Sequence, residues 1–413
     1  MAEAYYKGRF GLYVAVLLFL CTLMGYIARS TISVALPFIS DDYGWTTSQE
    51  GFWGGFLLGI FLVGYGISNV LLSPLIDRYG PRKSLAVAIA IWSVITLLTG
   101  MLGLIFGAFI VLRLLLGLSQ GVLFPSASKV ARTHFEPKKR SRINGLYMSS
   151  MFISNLLIGL LMLPLIEVID WQPALYVVAI AGFALSIIVW RHLRDDGDAH
   201  DRPKSVREAY SDIIVGLRGV VKVKGFLTVT IADTAMNLAW WGLSLWLPTY
   251  LIDGKGFLVN DLVWALPMIY IGGFCGIFIG SWMSDRIGRR SEITAVFSLG
   301  GAVALFYLVT ASGQLEIVAS CFLMFFCISL LPANAYTLLQ MIVPAKETGA
   351  ATGLLNGVSN GLGVFGPVII GLSVAYTNDF DTGILIIAVA QVVAAAAVLH
   401  FRRYEMSASA DDQ

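Results

Sequence analysis

Residues 12–36 read LYVAVLLFLCTLMGYIARSTISVAL, an apolar run whose one charged residue is Arg29. A helix needs about 20 mostly apolar residues to cross roughly 30 Å of hydrocarbon. The run reaches this length, and it is too long for the apolar region of a cleavable signal peptide. We therefore expect a retained membrane-spanning helix that carries one cation.

The rest of the chain repeats this pattern. It is 57% hydrophobic and 13% charged over 413 residues, whereas soluble domains are about 25% charged. Turn or charge clusters separate the apolar stretches, so we expect an all-α membrane protein with about 12 transmembrane helices. The predicted spans are 12–36, 50–75, 84–104, 106–133, 143–168, 173–190, 226–252, 262–283, 293–312, 315–340, 348–376 and 382–401.

Positive charge is distributed asymmetrically. Most of the 28 Lys and Arg residues lie in alternate loops and near both ends of the chain. The positive-inside rule then predicts a multi-pass protein of the plasma (inner) membrane with both termini in the cytoplasm. The net charge of +2 does not indicate a nucleic-acid partner. We expect a monomer in the lipid bilayer.

The sequence offers no sign of enzymatic chemistry. Its four cysteines lie in predicted spans, so no disulfide framework is expected. We find no metal-ligand or nucleophile spacing, which argues against an enzyme and against a metal site or other cofactor. A transporter-derived sensor without turnover is a second alternative.

The two halves of the chain resemble each other. Ser73-Pro-Leu-Ile-Asp-Arg-Tyr-Gly-Pro-Arg82 returns as Ser281-Trp-Met-Ser-Asp-Arg-Ile-Gly-Arg-Arg290, at an offset of 208 residues. Parallel repeats are a known plan of transporters, with the substrate site midway between the halves. We predict an N-terminal six-helix bundle at 1–190, a cytoplasmic linker with an amphipathic helix at 191–225, and a C-terminal six-helix bundle with a cytoplasmic tail at 226–413.

Glycines spaced four apart predict close helix contacts, because small residues let helix backbones approach each other. The three sets are Gly51/Gly55/Gly59, Gly272/Gly276/Gly280 and Gly353/Gly357/Gly361.

The repeated loop motif resembles the signature of the major facilitator superfamily. Arg113-x-x-x-Gly117-x-x-Gln120-Gly121 resembles the second motif of that superfamily. Tyr26-x-x-Arg29, Phe124-Pro125 and Trp246-Leu-Pro-Thr-Tyr-Leu251 are similar to the anion:cation symporter family and its organophosphate antiporter relatives. The resemblance implies two pseudo-symmetric six-helix bundles that work by alternating access.

The resemblance also implies a cytoplasmic latch, which holds neighbouring helix ends together when the site faces outward. The alternative is topology-setting charge combined with helix capping. The latch residues would be Asp77, Arg78, Arg82, Asp285, Arg286 and Arg290.

Arg29 is the predicted substrate anchor. A charge within a span costs roughly 2.5–3.5 kcal/mol, so it is by default a functional residue that faces a watery cavity or a partner, and we expect Arg29 to face a cavity. Its planar fork suits a carboxylate or phosphate. The repeat pairs position 29 with Trp240, where organophosphate antiporters carry a second Arg. One cation with aromatic walls favours a small organic monoanion, such as a monocarboxylate or sugar acid, over a dianionic phosphate. The alternative is a structural charge paired to another helix.

Other pocket candidates are aromatic or amide side chains in the spans. Successive helical residues point about 100° apart, so at most one of Trp240 and Trp241 is expected to face the cavity. Amides in membranes also commonly bridge helices. The remaining candidates are Tyr26, Tyr65, Asn155, Asn237, Asn334, Asn356 and Asn360.

Proton coupling is the predicted energy source. Importing a monoanion against 100 mV costs about 2.3 kcal/mol, which one proton cancels. The symporter relatives carry carboxylates at the positions of Ala28 and Gln120, and neither residue can carry a proton. Asp233 is the one carboxylate well inside a predicted span, so we assign it the proton; the alternative is a structural ion pair. The alternative mechanism is proton-independent anion exchange or uniport, including organophosphate or phosphate exchange.

Arg113 and Gln120 are seven residues apart and therefore share a face of the fourth span. The resemblance implies that they couple the substrate and proton sites. A helix-packing hydrogen-bond network is the alternative.

Overall fold

The computed structural model describes residues 8–135, 137–193, 205, 219–343 and 348–411. These residues form helices and no strands. In chain order the helices are α1 (Gly8–Tyr43), α2 (Thr47–Gln49), α3 (Gly55–Leu71), α4 (Ser73–Tyr79), α5 (Pro81–Leu102), α6 (Phe106–Gln120), α7 (Leu123–His134), α8 (Pro137–Leu157), α9 (Leu163–Ile169), α10 (Trp171–His192), α11 (Phe226–Thr249), α12 (Leu262–Ile287), α13 (Arg290–Thr310), α14 (Gln314–Ile328), α15 (Leu330–Ile342), α16 (Thr348–Leu362), α17 (Phe365–Thr377) and α18 (Asp381–Asp411). Short π-helical segments cover Glu50–Gly54, Ile158–Met162 and Tyr250–Gly254, and a 3-10 turn covers Val259–Asp261.

Eleven helical segments of this part of the chain are long and apolar enough to cross a membrane. The predicted span 226–252 forms α11 but is not among the eleven. Asp233, Asn237 and several tryptophans lower its mean hydropathy, and most of its residues are buried within the protein. The predicted fold class, an all-helical multi-pass membrane protein, is confirmed.

The chain divides into two compact units. The first comprises Met1–Thr31 and Gly64–Ile213, and the second comprises Ile32–Val63 and Ile214–Gln413. The predicted bundles were divided by chain position, at 1–190 and 226–413, and that division stays a prediction. Packing assigns 32–63 to the second unit. The predicted amphipathic helix of the linker lies largely outside the described residues.

Glycine seams explain why 32–63 packs as it does. A Cβ added to Gly51 would lie 2.6 Å from the backbone nitrogen of Ala375, and one added to Gly55 would lie 2.9 Å from the carbonyl oxygen of Pro367. The segment that carries both glycines therefore lies against α17 with its backbone almost in contact.

The other two predicted seams differ from each other in how closely the helices approach. A Cβ added to Gly276 of α12 would overlap the backbone of Phe326 in α14. Close contact is thus confirmed for the first two sets. It is not found at Gly353, where a Cβ would meet nothing within 4 Å.

The glycine of each repeated loop motif has a backbone reason. Gly80 ends α4 with φ 88°, and Gly288 ends α12 with φ 73°. A residue with a side chain rarely adopts this conformation. The turn after each helix therefore requires glycine.

Candidate functional site

Arg29 lies in the middle of α1 and is 1% exposed. Its Nε donates a hydrogen bond to Gln120 Oε1 of α6 at 3.0 Å. Gln120 Nε2 in turn donates to the carbonyl oxygen of Gly25, one turn earlier on α1, at 3.1 Å. One amide therefore braces both the backbone of α1 and its buried cation. Arg29 is not open to water in this conformation, in contrast to the cavity-facing cation that the sequence predicts.

Two tyrosine rings contact the Arg29 guanidinium. Its central carbon lies 4.4 Å from the centre of the Tyr26 ring and 4.8 Å from that of Tyr65. Cations within about 6 Å of a ring centre are attracted to its face, by about 0.5–2 kcal/mol. Tyr65 reaches this position because Gly64 lets α3 approach α6; a Cβ there would lie 2.9 Å from the backbone nitrogen of Leu118. The structure thus assembles the predicted group of Arg29, Tyr26 and Tyr65 within the first unit.

Arg113 adds a second guanidinium to this group. It is 1% exposed, and its Nη1 donates to the carbonyl oxygen of Arg29 at 3.2 Å. From the sequence, Arg29 is expected to be the one cation of the site, because position 240 is Trp rather than Arg. The structure instead supplies a second cation from α6. We refer to Tyr26, Arg29, Tyr65, Arg113 and Gln120 as the arginine cluster.

Asp233 forms the centre of a second polar group, on α11 in the second unit. It is 4% exposed. Asn237 Nδ2 lies 2.9 Å from its carbonyl oxygen and 3.5 Å from its Oδ2, and the Ser359 side chain lies beside the carboxyl group. Thr234 Oγ1 donates to Ser359 Oγ at 3.4 Å. Among the described residues no Lys or Arg forms an ion pair with Asp233. We refer to Asp233, Thr234, Asn237 and Ser359 as the aspartate cluster.

Amide side chains also join α11 and α16, the two helices that carry the aspartate cluster. Trp241 Nε1 donates to Asn360 Oδ1 at 3.0 Å, and Asn360 Nδ2 donates to Asn356 Oδ1 at 2.7 Å. Tyr336 OH donates to Asn356 Oδ1 at 3.1 Å. Trp240 instead packs edge-to-face against Phe325, with ring centres 5.2 Å apart. Trp241 therefore joins polar groups and Trp240 joins aromatic rings. Which of the two faces the substrate stays a prediction.

Asn155 and Asn334 make contacts that fit a structural role. Asn155 Nδ2 donates to the carbonyl oxygen of Met151 on its own helix at 2.9 Å. Asn334 Nδ2 donates to Thr294 Oγ1 at 2.6 Å, and its Oδ1 accepts from Ser284 Oγ at 3.1 Å. Asn334 thereby joins α12, α13 and α15. Their predicted contact with substrate has no support in this geometry and stays a prediction.

The predicted latch residues make varied contacts. Arg82 lies over the ring of Trp190 and Arg286 over that of Trp282, at 5.1 and 5.2 Å. Arg78 is in the last turn of α4, where a cation suits the helix dipole. The side chains of Asp77 and Asp285 lie outside the described part of the structure. The latch stays a prediction.

Sequence reasoning missed Glu405, near the end of α18. It is 7% exposed, and it accepts hydrogen bonds from the backbone nitrogens of Arg290 and Ser291 at 2.9 and 3.1 Å. Its carboxylate thus caps the start of α13, where the helix dipole favours negative charge. The sequence signal available was an acidic residue directly after the last apolar run.

An acidic group at the end of α1 was also missed. Glu50 is close to Asp41, Asp253 and Ser40. Burial and the nearby Asp41 raise the pKa of Asp253 above its usual value. Asp253 lies 203 residues after Glu50 in the sequence, so only the fold brings it to the other two carboxyl groups.

Comparison with known proteins gives consistent matches. A family model described as Major Facilitator Superfamily matches residues 18–367 and 264–410. The hexuronate transporter of Bacillus subtilis (strain 168) is 26% identical to this chain, over 94% of each protein. The probable sulfoacetate transporter of Cupriavidus necator is 26% identical, over 88% of this chain and 87% of the relative. The probable L-galactonate transporter of Escherichia coli (strain K12) is 23% identical, over 90% and 84%.

Solved structures share the fold at low sequence identity. A bacterial homologue of the human lysosomal transporter Spinster, inward-facing and unoccupied, matches with a TM-score of 0.78 at 15% identity, over 98% of this chain and 99% of the other. A D-xylose-proton symporter matches with a TM-score of 0.76 at 14% identity, over 94% and 97%. Family model, relatives and fold agree, and none of the matched proteins is an enzyme. The chain belongs to the major facilitator superfamily and is a membrane transporter.

Proposed function

We propose that this transporter carries small organic anions, sugar acids or monocarboxylates, by alternating access, and that Arg29 binds the substrate carboxylate. The observation that carries the proposal is the arginine cluster. Its two guanidiniums are buried, and the contacts described for Arg29 are with a neutral amide and two phenol rings. Two buried guanidiniums so close together repel each other, and an anion beside them offsets that repulsion, so the cluster favours the arrival of an anion.

The relatives support this substrate class. Hexuronate, sulfoacetate and L-galactonate, which appear in the names of three relatives, are all organic anions. Two of the three are polyhydroxylated. The amide chain of Asn356, Asn360 and Trp241 supplies donors and acceptors that suit hydroxyl groups. Sugar acids are therefore the substrates we favour.

The charge of the substrate is less constrained than its class. A lone cation favours a monoanion, but Arg113 beside Arg29 gives the arginine cluster two positive charges. Relatives described as probable galactarate/D-glucarate transporters carry diacids in their names. We favour monoacids and include a diacid in the test.

We propose proton symport, with Asp233 as the group that takes up the proton. Asp233 is buried, and its described side-chain contacts are neutral donors that suit the ionised form. The residues at positions 28 and 120, Ala28 and Gln120, cannot carry a proton. They favour the second candidate mechanism, exchange or uniport without a proton. We also propose that both termini are cytoplasmic and that the protein acts as a monomer.

Uptake into proteoliposomes tests substrate class and coupling together. Radiolabelled D-glucuronate should enter, and unlabelled D-glucarate, D-glucose and glucose 6-phosphate serve as competitors. We expect competition by D-glucarate, which is a sugar acid, and none by D-glucose, which has no charge. Dominant competition by glucose 6-phosphate, or by D-glucose, would contradict the proposal.

Coupling of uptake to protons is measured in the same proteoliposomes. Symport predicts accumulation above the external concentration when the outside is acidic, and loss of that accumulation with an uncoupler. Uptake that ignores the pH gradient but accelerates with internal substrate would favour exchange. Uptake that ignores both would favour uniport.

A further inference from the structure

We infer that Gln120 is a positioning residue for substrate binding, which holds the Arg29 guanidinium in one orientation at every physiological pH. The inference rests on the proposed anion-binding role of Arg29 and adds a residue to it.

The Gln120 amide is hydrogen-bonded at both of its ends. Gln120 is 0% exposed and uses both ends of its side chain, Oε1 toward Arg29 and Nε2 toward the Gly25 carbonyl oxygen. A flipped amide would direct its NH₂ group at the Nε–H donor and its oxygen at a carbonyl oxygen, which loses both bonds. The orientation of the amide is therefore determined by its partners.

Gln120 and the two tyrosines contact different parts of the Arg29 guanidinium. Gln120 engages Nε, on one edge of the guanidinium, while Tyr26 and Tyr65 lie against the group at 4.4 and 4.8 Å. The terminal Nη pair is the edge with which an arginine grips a carboxylate bidentately. Three neighbours thus fix the plane of the fork before substrate arrives, and such preorganisation lowers the entropy that binding costs.

The side chain that holds Arg29 in place, Gln120, carries no charge. A carboxylate at position 120 could also accept from Nε, but it would pair with Arg29 by charge and compete with an anionic substrate. An amide does not titrate. The titratable groups described around Arg29 are Tyr26, Tyr65 and Arg113, none of which is a carboxyl or imidazole group. The hold of Gln120 on Arg29 therefore does not change with pH.

The test measures D-glucuronate binding by calorimetry at pH 5.5, 6.5, 7.5 and 8.5, with purified full-length protein. Three variants are compared with the unaltered chain: Gln120→Leu, Gln120→Glu and Gln391→Leu. Gln391 is the matched control, because it is also 0% exposed and donates across helices, to the Ala235 carbonyl oxygen at 3.1 Å. The readout is the ratio of each variant's Kd to that of the unaltered chain at the same pH.

We expect Gln120→Leu to raise Kd about tenfold at every pH, and Gln391→Leu to leave Kd unchanged while lowering the melting temperature. For Gln120→Glu we expect a ratio of tenfold or more at pH 8.5, where the carboxyl group is ionised and competes with substrate, and a smaller ratio only at a pH low enough to protonate that carboxyl group. A structural role alone would not produce that pH-dependent ratio.

Two results would overturn the inference: a Gln120→Leu ratio near one, or a Gln120→Glu ratio near one at pH 8.5. Should Gln120→Leu fail to fold, the isosteric Gln120→Glu decides the question alone. Failure of the unaltered chain to bind D-glucuronate or D-glucarate at any pH would instead count against the proposed function.

Discussion

The arginine cluster and the aspartate cluster bury opposite charges with the same kind of partner. Arg29 lies among an amide and phenols in the first unit, and Asp233 lies among an amide and hydroxyls in the second. They differ in whether the charge can change. A guanidinium stays protonated, whereas a carboxyl group can gain a proton. Under the proposed function this difference is a division of labour, with the permanent charge proposed for binding and the switchable one for coupling.

The largest expected effect comes from removing the permanent charge. Arg29→Ala should weaken D-glucuronate binding by about 4 kcal/mol at an effective dielectric near 20, nearly a thousandfold in Kd. Arg29→Lys, which keeps the charge but loses the planar fork, should have an affinity between those of Arg29→Ala and the unaltered chain. Calorimetry gives the values. An affinity within threefold of the unaltered chain would break the assignment of binding to the first unit.

Removing the switchable charge should affect coupling rather than binding. Asp233→Asn should abolish accumulation driven by a proton gradient, a loss of about 2.3 kcal/mol per 100 mV or roughly 50-fold in the concentration ratio. Counterflow exchange in the same vesicles should persist. Asp253→Asn is the control, because Asp253 lies beyond α11 in a separate acidic group. Accumulation that survives in Asp233→Asn would move the proton site elsewhere.

A smaller effect is expected from the packing that supports the arginine cluster. Gly64→Ala places a Cβ against the backbone of α6 and should push Tyr65 away from Arg29. Overpacking of this kind costs about 1–3 kcal/mol. Melting curves should show the loss, together with weaker D-glucuronate binding. Gly107→Ala on α6 is the control, since a Cβ there meets nothing within 4 Å; equal losses in the two variants would contradict the packing argument.

The smallest effect separates sugar acids from simple acids. Asn356→Leu removes the acceptor shared by Asn360 and Tyr336. If this amide chain binds substrate hydroxyls, KM for D-glucuronate should rise by about 1 kcal/mol, roughly fivefold, while KM for acetate stays the same. Uptake assays with both acids give the ratio. A similar rise for both would make the amides structural only.

Much of the fold was predictable because spans and repeats are one-dimensional signals. Run length indicated the helices, and four-residue glycine spacing indicated two of the close seams. The pairing of Tyr26 with Arg29 also follows from a spacing of three residues, which places them on one helix face.

The rest depends on how helices rotate against each other, which no periodicity encodes. Gln120 contacts Arg29 across 91 residues of sequence. Arg113, on the same helix as Gln120, donates to the carbonyl oxygen of Arg29. The assignment of 32–63 to the second unit depends on α17, more than 300 residues away. Glu405 was passed over because its partners are backbone nitrogens, which a reading of side-chain types does not register.

The carboxylate of Glu405 also bears on how the protein can be handled. A chain truncated before this residue would leave the first amide groups of α13 without their cap, at a cost of about 0.5–2 kcal/mol. Purification tags should therefore be appended after the last residue of α18 rather than replace any part of it. Carboxypeptidase trimming that stops at Glu405 would reveal how firmly the cap protects the end of the polypeptide.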